Sequence, residues 1–338
     1  YNDEIINDDD LSDLLNEIEE INNGQPLTYF EALTAAFFHG CKKYKQNLVI
    51  AEFGLFGRGD AVNILKKNLC NIITSCSEDH LDWLPKNDRT IERIIFEKTS
   101  SLLNSNIVVA KQNSNEIIGY IKKNISNNSA NKYYFKENYN FVLKENDFFY
   151  YEDKYGSLKI PKPNLNGQFQ IENASTAIAT LRILEDIKIN DQNIINGIQK
   201  AYNIARLEEI KSGKLKDLVK KNRLILDSSH NPGGAKVLNE YLQTLDCNKH
   251  IIIGMMANKD HEKYISYFKN ISSLTTIDIP NQPNAIGGKE LKDKFKYFPN
   301  VQYKKNIKEA IQSIALKEDD LLVITGSLYL SGEFLNLN

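Results

Sequence analysis

One short segment of this 338-residue chain combines residue types that can hold a metal ion and a phosphate. Glu52 is followed at once by Gly54, Gly57 and Gly59. A carboxylate is a hard oxygen ligand that suits Mg²⁺, and glycines let backbone amides approach a phosphate or a flat ring. A helix cap followed by a tight turn would use the same residues, and the local pattern by itself favours that simpler account.

A histidine occupies the equivalent place after the next apolar run. His80 lies in the polar cluster that follows residues 69–74, between Asp79 and Leu81. A His and a Glu at the carboxyl ends of neighbouring parallel strands can converge on one metal ion, because ligands bind beyond those ends. A lone histidine in a loop is more often a surface residue, so both interpretations stay open here.

A third polar segment, residues 227–234, follows an apolar run in the second half of the chain. Asn231 can cap a helix that has Pro232 at its first position, and the loop's donors then face an anion at the helix's positive end. Asp227, at the end of the strand, suits a ribose hydroxyl or a metal-bound water. A well-capped structural turn explains the same residues, and the segment does not match the dinucleotide pattern GxGxxG.

The elements before these segments alternate between strand and helix. Thr28 and Glu31 predict a capping box at the start of a helix over residues 29–44. A strand over 47–52, a helix over 61–67 and an apolar run over 69–74 predict a βαβ unit, and hence a parallel sheet. The aromatic-rich residues 132–160 predict antiparallel hairpins.

A second α/β series begins near residue 223. Its strands are predicted at residues 224–227, 250–254, 274–279, 301–303 and 321–325. We therefore predict an α/β fold with two domains. Residues 1–204 hold a parallel sheet plus a small antiparallel hairpin region, and residues 205–338 form a smaller doubly wound, Rossmann-like domain.

Composition excludes several function classes. The chain is 41% hydrophobic and 25% charged with a formal net charge of −2, which argues against a nucleic-acid-coating protein. No stretch approaches the roughly 18 apolar residues of a membrane span. Four cysteines lie at spacings that fit neither a zinc site nor a redox pair, so we expect reduced thiols. We expect a cytoplasmic monomer whose partners are small molecules, with no nucleic acid and no membrane.

Several motifs occur in an order that matches one known family. Residues 27–34 resemble its TxFE-x-LT helix, residues 52–63 its EVGLGGRLDATN loop, and residues 73–80 its ITSIGLDH segment. Further counterparts are Glu97-Lys98 and residues 172–174, 205–208, 227–232, 258–260 and 325–330. Together they resemble the dihydrofolate synthase/folylpolyglutamate synthase family of the Mur ligase superfamily. Phe56 and Gly59 depart from the family's loop, as does the Thr-Ser-Ser run at residues 99–101.

The resemblance implies an ATP-dependent amide ligase with ATP and Mg²⁺ as cofactors. Such an enzyme adds L-glutamate to dihydropteroate and/or folate (poly)glutamate through an acyl phosphate, in folate biosynthesis. The resemblance also implies that Glu52 and His80 hold Mg²⁺. It implies that Lys98 is carbamylated and presents a carboxylate-like group near the metal.

The resemblance further implies how the ligands are divided over the chain. Asn173 and Arg206 are implied to contact ATP. Asp227 and His230 are implied to contact the nucleotide from across a domain cleft, with His230 also catalytic. The pterin side is implied to be formed by Phe30, Asp60 and Ala61, and Asp60 favours a dihydropteroate site.

One family motif has no counterpart here. No segment satisfies GxxxxGK[ST], since the sequences after Gly213 and Gly288 lack both the hydroxyl and the upstream glycine. Family members open with a strand and a GTNGKGS-type P-loop, so we expect a Mur-ligase-type ATPase domain truncated at its N-terminus. The alternatives are an inactive, folate-binding relic and another Mur-type ligase.

Overall fold

The computed structural model describes residues 5–43, 48–144, 147–185, 187–298 and 300–338. The helices are α1 (Asp8–Ile21), α2 (Tyr29–Gly40), α3 (Ile91–Thr99), α4 (Asn115–Asn124), α5 (Phe169–Arg182), α6 (Asp191–Lys200), α7 (Lys214–Val219), α8 (Pro232–Gln243), α9 (His261–Ser266), α10 (Gly288–Lys294), α11 (Ile307–Ser313) and α12 (Leu328–Leu337). The strands are β1 (Cys70–Ile73), β2 (Asn106–Val109), β3 (Lys132–Tyr134), β4 (Tyr139–Val142), β5 (Phe148–Asp153), β6 (Gly156–Pro161), β7 (Glu208–Glu209), β8 (Arg223–Leu226), β9 (Lys249–Ile253), β10 (Ser273–Ile277), β11 (Val301–Lys304) and β12 (Leu321–Thr325).

The chain divides into two compact units that interleave along the sequence. The first unit comprises Tyr1–Asn71, Thr90–Asn106 and Ser114–Asn131, and the second unit comprises Ile72–Arg89, Ile107–Asn113 and Lys132–Asn338. The short segments that follow β1 and β2 therefore belong with the carboxyl-terminal half of the chain. The sequence-based division at residue 204 stays a prediction.

The first unit contains a helical hairpin formed by α1 and α2. Helices α1 and α2 bury Leu14 and Ile18 against Ala36. The predicted capping box is confirmed: the Thr28 side chain accepts a hydrogen bond from the Glu31 backbone, and the Glu31 carboxylate accepts one from the Thr28 backbone. Helix α2 ends at Gly40, earlier than predicted, and residue 44 lies outside the described residues.

Two predicted elements of the first unit are wrong. Residues 48–52 form no strand, and Leu48, Val49 and Ile50 are exposed. An extended segment gains ladder hydrogen bonds only from a neighbouring strand, and the sheets of the described residues place none beside it. Residue 47 lies outside the described residues. Residues 61–67 form turns rather than a helix, because the Asp60 carboxylate accepts the Val62 amide at 2.9 Å and so competes with helical bonding.

A six-stranded sheet in the order β11-β10-β9-β12-β8-β7 forms the centre of the second unit. Strands β8 to β12 are mutually parallel, and the two-residue strand β7 pairs antiparallel with β8 at the edge. The doubly wound fold predicted for this region is confirmed. Sequence patterning missed β7, which is too short for an alternating pattern.

Alternate residues of these strands enter two separate hydrophobic cores. Ile225, Ile251 and Val323 pack with residues of α8, α9 and α10 on one face. Their sequence neighbours Leu224 and Leu322 pack with α7, α11 and α12 on the other face. Successive side chains of a strand point to opposite sides, so a sheet covered on both faces needs the continuous apolar runs seen here.

The region between residues 132 and 161 differs in part from the prediction. Strands β4, β5 and β6 form the expected antiparallel sheet, and its residues Phe149, Tyr151 and Ile160 are fully buried. Strand β3 instead pairs parallel with β2. Among the described residues, no helix is both long and apolar enough to cross a membrane.

Candidate functional site

The segment after β1 carries His80 in an unusual backbone conformation. His80 has φ +56° and ψ 27°, which is left-handed, a region that non-glycine residues occupy at a cost of roughly 1–2 kcal/mol. The Asp79 carboxylate accepts the His80 amide at 2.9 Å and supports this turn. Gln112 holds the start of the segment, since its side chain accepts the Cys76 amide at 2.9 Å and donates to the Thr74 carbonyl at 3.0 Å. These hydrogen bonds therefore hold the backbone of the turn that carries the His80 side chain.

The conformation of the segment after β8 is held by hydrogen bonds to its first residue, Asp227. Asp227 is 5% exposed. One of its carboxylate oxygens accepts the Ser229 amide at 3.0 Å and the other accepts the Leu207 amide at 3.0 Å. Both oxygens are thus used to shape the loop. The predicted cap is confirmed, because the Asn231 side chain accepts the Gly234 amide at 2.8 Å and α8 begins at Pro232.

His230 lies at the tip of this loop with one ring nitrogen occupied. Its Nδ1 lies 3.0 Å from the Ser228 carbonyl oxygen, so the neutral ring carries its proton on Nδ1 and leaves Nε2 as an acceptor. Burial lowers the pKa of His230, and the positive charge of Lys259 lowers it further, while the Ser228 carbonyl opposes both effects. His230 is therefore neutral at pH 7.

A buried hydroxyl cluster supports the same loop from beneath. The Tyr264 hydroxyl lies 3.0 Å from Ser229 Oγ and 2.9 Å from Thr325 Oγ1, and it donates to the Ser229 carbonyl at 3.1 Å. Burial raises the pKa of Tyr264, with Ser229 and Thr325 opposing the rise. The cluster joins the loop after β8 to α9 and to the end of β12, so two other elements hold the loop's backbone.

Asp79 connects the His80 segment to two other segments of the second unit. The Asn231 side-chain amide donates to its carboxylate at 2.6 Å, and Lys259 Nζ lies 3.4 Å away. The Nε2 atoms of His80 and His230 lie 3.6 Å and 3.8 Å from the same carboxylate. Burial raises the pKa of Asp79, but the charges of His80 and Lys259 and the Asn231 hydrogen bond together bring it below its usual value. Asp79 is therefore ionised at neutral pH.

These three segments enclose a cavity of about 110 Å³ within the second unit. Its walls carry both charges, which suits a zwitterionic or metal-bound ligand. The lining residues are Glu78, Asp79, His80, Leu81, Asp82, His230, Asn231, Pro232, Asn258, Lys259, Asp260 and Lys263.

In the first unit, the glycine-containing loop is held by side chains that sequence analysis had singled out. Asp60 accepts the Leu55 amide at 3.0 Å, and Lys98 donates from Nζ to the Leu55 carbonyl at 3.1 Å. The Phe30 ring lies against Gly54, where a Cβ atom would come within 2.6 Å of it. Phe30, Asp60 and Lys98 are thus brought to one loop, with Ala61 directly beside Asp60.

A buried carboxylate fixes this loop to α3. Arg58 donates two hydrogen bonds to Glu97, at 2.8 Å and 2.7 Å, and Arg93 donates to the same carboxylate. The Arg58 hydrogen bond lowers the pKa of Glu97, burial opposes this, and Arg93 lowers it again. Since Glu97 precedes Lys98, this ion cluster fixes the part of α3 that presents the lysine.

The remaining predicted site residues lie on separate elements. Asn173 lies exposed on α5, and its side chain donates to Gln170 at 3.0 Å. Arg206 is exposed between Ala205 and Leu207, which are both buried and both have positive φ values.

The metal ligands predicted from sequence lie in different units. Glu52 is an exposed residue of the first unit, whereas His80 belongs to the second. A carboxylate and an imidazole suit a divalent cation as donors. Within the described residues, however, no three His, Cys, Asp or Glu side chains are gathered as a metal-binding group.

Sequence reasoning missed the roles of Asp79 and Tyr264. In the sequence, Asp79 stands out only as the neighbour of His80, because it lies within the loop that follows β1 rather than at the end of the strand. Tyr264 gives no signal, because it is one apolar position of a helix.

A family model for the glutamate ligase domain of Mur ligases matches residues 206–328. That stretch contains most of the doubly wound sheet and the loops of His230 and Lys259. The second unit therefore contains a glutamate ligase domain of the Mur ligase type. Curated relatives narrow the class: the dihydrofolate synthase/folylpolyglutamate synthase of Haemophilus influenzae is 28% identical over 337 residues, which cover 93% of this chain and 73% of the relative. The Bacillus subtilis protein of the same name is 26% identical and covers 96% of this chain and 76% of its own length.

Solved structures agree on the fold. Escherichia coli FolC in complex with DHPP and ADP aligns with a TM-score of 0.84 at 24% identity, over 98% of this chain and 76% of that one. Folylpolyglutamate synthase from Thermotoga maritima aligns with a TM-score of 0.78 at 25% identity, over 100% of this chain and 79% of that one. Over nearly its whole length the chain is thus similar to dihydrofolate synthase/folylpolyglutamate synthases, which are ATP-dependent glutamate ligases in folate metabolism. The resemblance drawn from the motifs is confirmed.

Proposed function

We propose that this chain carries the machinery of a ligase that joins L-glutamate to dihydropteroate and/or a folate (poly)glutamate. The observation that carries the proposal is the cavity of the second unit, where the His80 segment meets the loops of His230 and Lys259. The similarity to dihydrofolate synthase/folylpolyglutamate synthases supplies the reaction class. The mixed charges of the cavity suit an amino acid and a phosphorylated acceptor.

The reaction needs activation of the acceptor because a carboxylate does not react with an amine at neutral pH. Phosphoryl transfer from ATP makes an acyl phosphate, whose phosphate is a good leaving group that the glutamate amine displaces. A divalent metal would spread charge on the transferred phosphoryl group, and catalysis is then mainly positioning and electrostatics. We propose Mg²⁺ as this metal. The Yersinia pestis bifunctional enzyme, which shares the fold, is solved with Mn, AMPPNP and L-glutamate bound.

We propose separate roles for the site residues of the chain in binding the metal and the other ligands. Glu52 and His80 would hold the metal, since both are donors suited to a divalent cation, and carbamylated Lys98 would add an anionic group near them. The neutral ring of His230, with Nε2 as acceptor, would orient a ligand's donor group in the cavity. Catalytic roles of Lys98, His80 and His230 are proposals on this basis.

Binding residues are proposed in the same way. Asn173 and Arg206, whose side chains are exposed, are proposed to contact ATP. Asp227 is proposed to act on the nucleotide side by shaping the loop, because its oxygens are taken by backbone amides. The acceptor's pterin side is proposed at the loop that holds Phe30, Asp60 and Ala61.

The cysteines bear on the compartment in which the chain acts. The four cysteines form no disulfide among the described residues, which favours a reducing compartment. We propose that the ligase acts in the cytoplasm as a monomer. Size-exclusion chromatography with light scattering checks the oligomeric state.

The test is Mg²⁺- and ATP-dependent joining of labelled glutamate to dihydropteroate and, separately, to a reduced folate monoglutamate. Both this chain and a version extended upstream through the encoding DNA are assayed. Ligation by either version supports the proposal, and the preferred acceptor identifies the branch of the family. Absence of ligation to both acceptors by both versions refutes it and favours a folate-binding relic or another Mur-type substrate.

His80 is tested in whichever version ligates. We expect His80→Ala and His80→Asn each to lower kcat by roughly a hundredfold, since the loss of a residue that only orients a metal ligand already costs about 10- to 100-fold. Asn tolerates the left-handed backbone and keeps the turn. His39→Ala is the matched control, since His39 pairs with Glu17 in the helical hairpin of α1 and α2. Normal turnover in both His80 variants would remove His80 from the site.

A further inference from the structure

One carboxylate in the second unit joins three segments that are far apart in sequence. Asp79 accepts its neighbour's amide, the Asn231 side-chain amide and the Lys259 ammonium, at 2.9 Å, 2.6 Å and 3.4 Å. The latter two partners lie 152 and 180 residues away in sequence. Its side chain is 20% exposed and that of Lys259 is 15% exposed, so water competes only partly for these contacts.

We propose that Asp79 is a positioning residue, which holds the His80 segment against the segments of Asn231 and Lys259. It thereby fixes the side chains that line the cavity. The proposal deepens the proposed function, because it rests on the cavity as the place of ligation. Asp79 acts through its neighbours and is not itself a group that touches the reacting atoms.

The geometry requires an acceptor at this position. Asn231 uses its Oδ1 to cap α8 through the Gly234 amide, so its Nδ2 must face Asp79. An ionised carboxylate has only acceptor sites. It can therefore receive the Asn231 amide, the His80 amide and Lys259 at once. An amide at position 79 has only one acceptor oxygen, so its NH₂ group would face either Asn231 Nδ2 or the His80 amide and Lys259.

Close packing makes the cavity sensitive to this contact. A Cβ atom at Gly233 would come within 2.7 Å of Ser77 Oγ, so the start of α8 lies directly against the His80 segment. A small shift of one segment relative to the other would therefore change the position of His80 relative to His230. Their Nε2 atoms lie within 4 Å of the same carboxylate.

The first variant is Asp79→Asn, and its rescue is the swap Asp79→Asn with Asn231→Asp. In the swap, the amide introduced at position 79 donates to the carboxylate introduced at position 231. The other oxygen of that carboxylate still caps the Gly234 amide, since Asp caps helices as well as Asn does. The hydrogen bond between the segments is restored with its direction reversed. Swapping the two residue types thus leaves shape and total charge unchanged.

The matched control is Asp320→Asn. Asp320 is also a buried carboxylate with an Asn and a His partner, Asn248 at 2.9 Å and His250 at 3.2 Å. It precedes β12, at the opposite end of the same sheet from the cavity. Asp320→Asn therefore shows what the loss of a buried, hydrogen-bonded carboxylate does to stability when the carboxylate lies away from the cavity.

Two readouts are used, of which one is independent of catalysis. Hydrogen–deuterium exchange is followed in residues 228–234 and 256–260. In the version that ligates, kcat and the KM values for ATP and glutamate are measured well below the thermal midpoint. We expect Asp79→Asn to raise exchange in both segments about tenfold and to lower kcat by about tenfold, as for other orienting contacts. The swap should bring both within about threefold of wild type, and Asp320→Asn should change only the thermal midpoint.

Unchanged exchange in Asp79→Asn overturns the proposal. Exchange restored by the swap without recovery of kcat also overturns it, because the charge on Asp79 and not its positioning contact would then matter. A wild-type protein that ligates no acceptor refutes the proposed function. The exchange measurements would still decide whether Asp79 holds the segments together.

Discussion

The buried hydroxyl of Tyr264 offers the sharpest quantitative test of how the loop after β8 is held. Its oxygen contacts Ser229 Oγ at 3.0 Å, the Ser229 carbonyl at 3.1 Å and Thr325 Oγ1 at 2.9 Å. Tyr264→Phe deletes this oxygen and leaves the ring in place. The ring keeps its contact with Phe268, at a centroid distance of 5.4 Å, so the packing change is small.

The expected cost follows from the partners that remain. Three neutral hydrogen bonds at about 1 kcal/mol each set an upper figure of roughly 3 kcal/mol. Ser229 Oγ and Thr325 Oγ1 still contact each other at 3.2 Å, and the Ser229 carbonyl still accepts the Gly326 amide at 3.1 Å. Since no partner is left entirely without a bond, we expect a loss of about 1–2 kcal/mol.

Native-state hydrogen exchange of the β9 and β12 amides measures this loss, because those central strands report the most global opening of the second unit. A loss of about 1–2 kcal/mol corresponds to exchange that is roughly 5 to 30 times faster. Tyr297→Phe is the control, since Tyr297 is 89% exposed. A change below about 0.3 kcal/mol, or one above about 4 kcal/mol, would refute the reasoning that the remaining hydroxyls compensate each other.

Two further outcomes are expected. Phe334→Ala should destabilise the second unit by about 3–5 kcal/mol, because Phe334, on α12, is fully buried in the core shared with α7 and α11. The control is Leu337→Ala, at an exposed position of the same helix. Equal effects of the two variants in the same exchange assay would contradict the assignment of this core. Burial lowers the pKa of His261, with the Met256 carbonyl opposing it. The unfolded chain therefore binds more protons near pH 6.5, and stability falls as pH drops from 7 towards the lowered value, by at most about 1.4 kcal/mol per pH unit. Thermal midpoints from pH 8 to 5 should fall less steeply in His261→Gln, and parallel curves would show that His261 does not contribute.

Local signals account for the features that sequence predicted well. The capping box of Thr28 and Glu31 and the Asn231 cap with Pro232 depend on residues at most three apart, and both occur as predicted. The strands of the doubly wound sheet were found within one or two residues, because strands buried on both faces are continuous apolar runs. The sequence is therefore sufficient to predict a feature when the interacting residues are close to each other in sequence.

The apolar run at residues 48–52 shows the limit of such signals. Its composition is that of a buried strand, yet Ile50 is 85% exposed. A strand is defined by its neighbour, and composition does not say whether one is present. The helix predicted at residues 61–67 is wrong for another reason. The Asp60 carboxylate accepts a hydrogen bond from the Val62 amide two residues on, and this Asx-type contact replaces helical bonding despite the apolar pattern.

The arrangement around Asp79 lies beyond sequence patterning for a topological reason. The rule that ligands gather at the carboxyl ends of parallel strands predicts that the loops after β8 and β9 share one edge, because both strands belong to one sheet. Strand β1 belongs to another sheet, so no sheet rule places the Asp79 turn against Asn231 and Lys259. Nothing local to Asp79 distinguishes it from a loop aspartate that caps the next residue. If exchange in residues 228–234 responds to Asp79→Asn and recovers in the swap, the cavity is built by a contact between sheets, and homologues should keep a hydrogen-bonded acceptor–donor pair there even where the two residue types are exchanged.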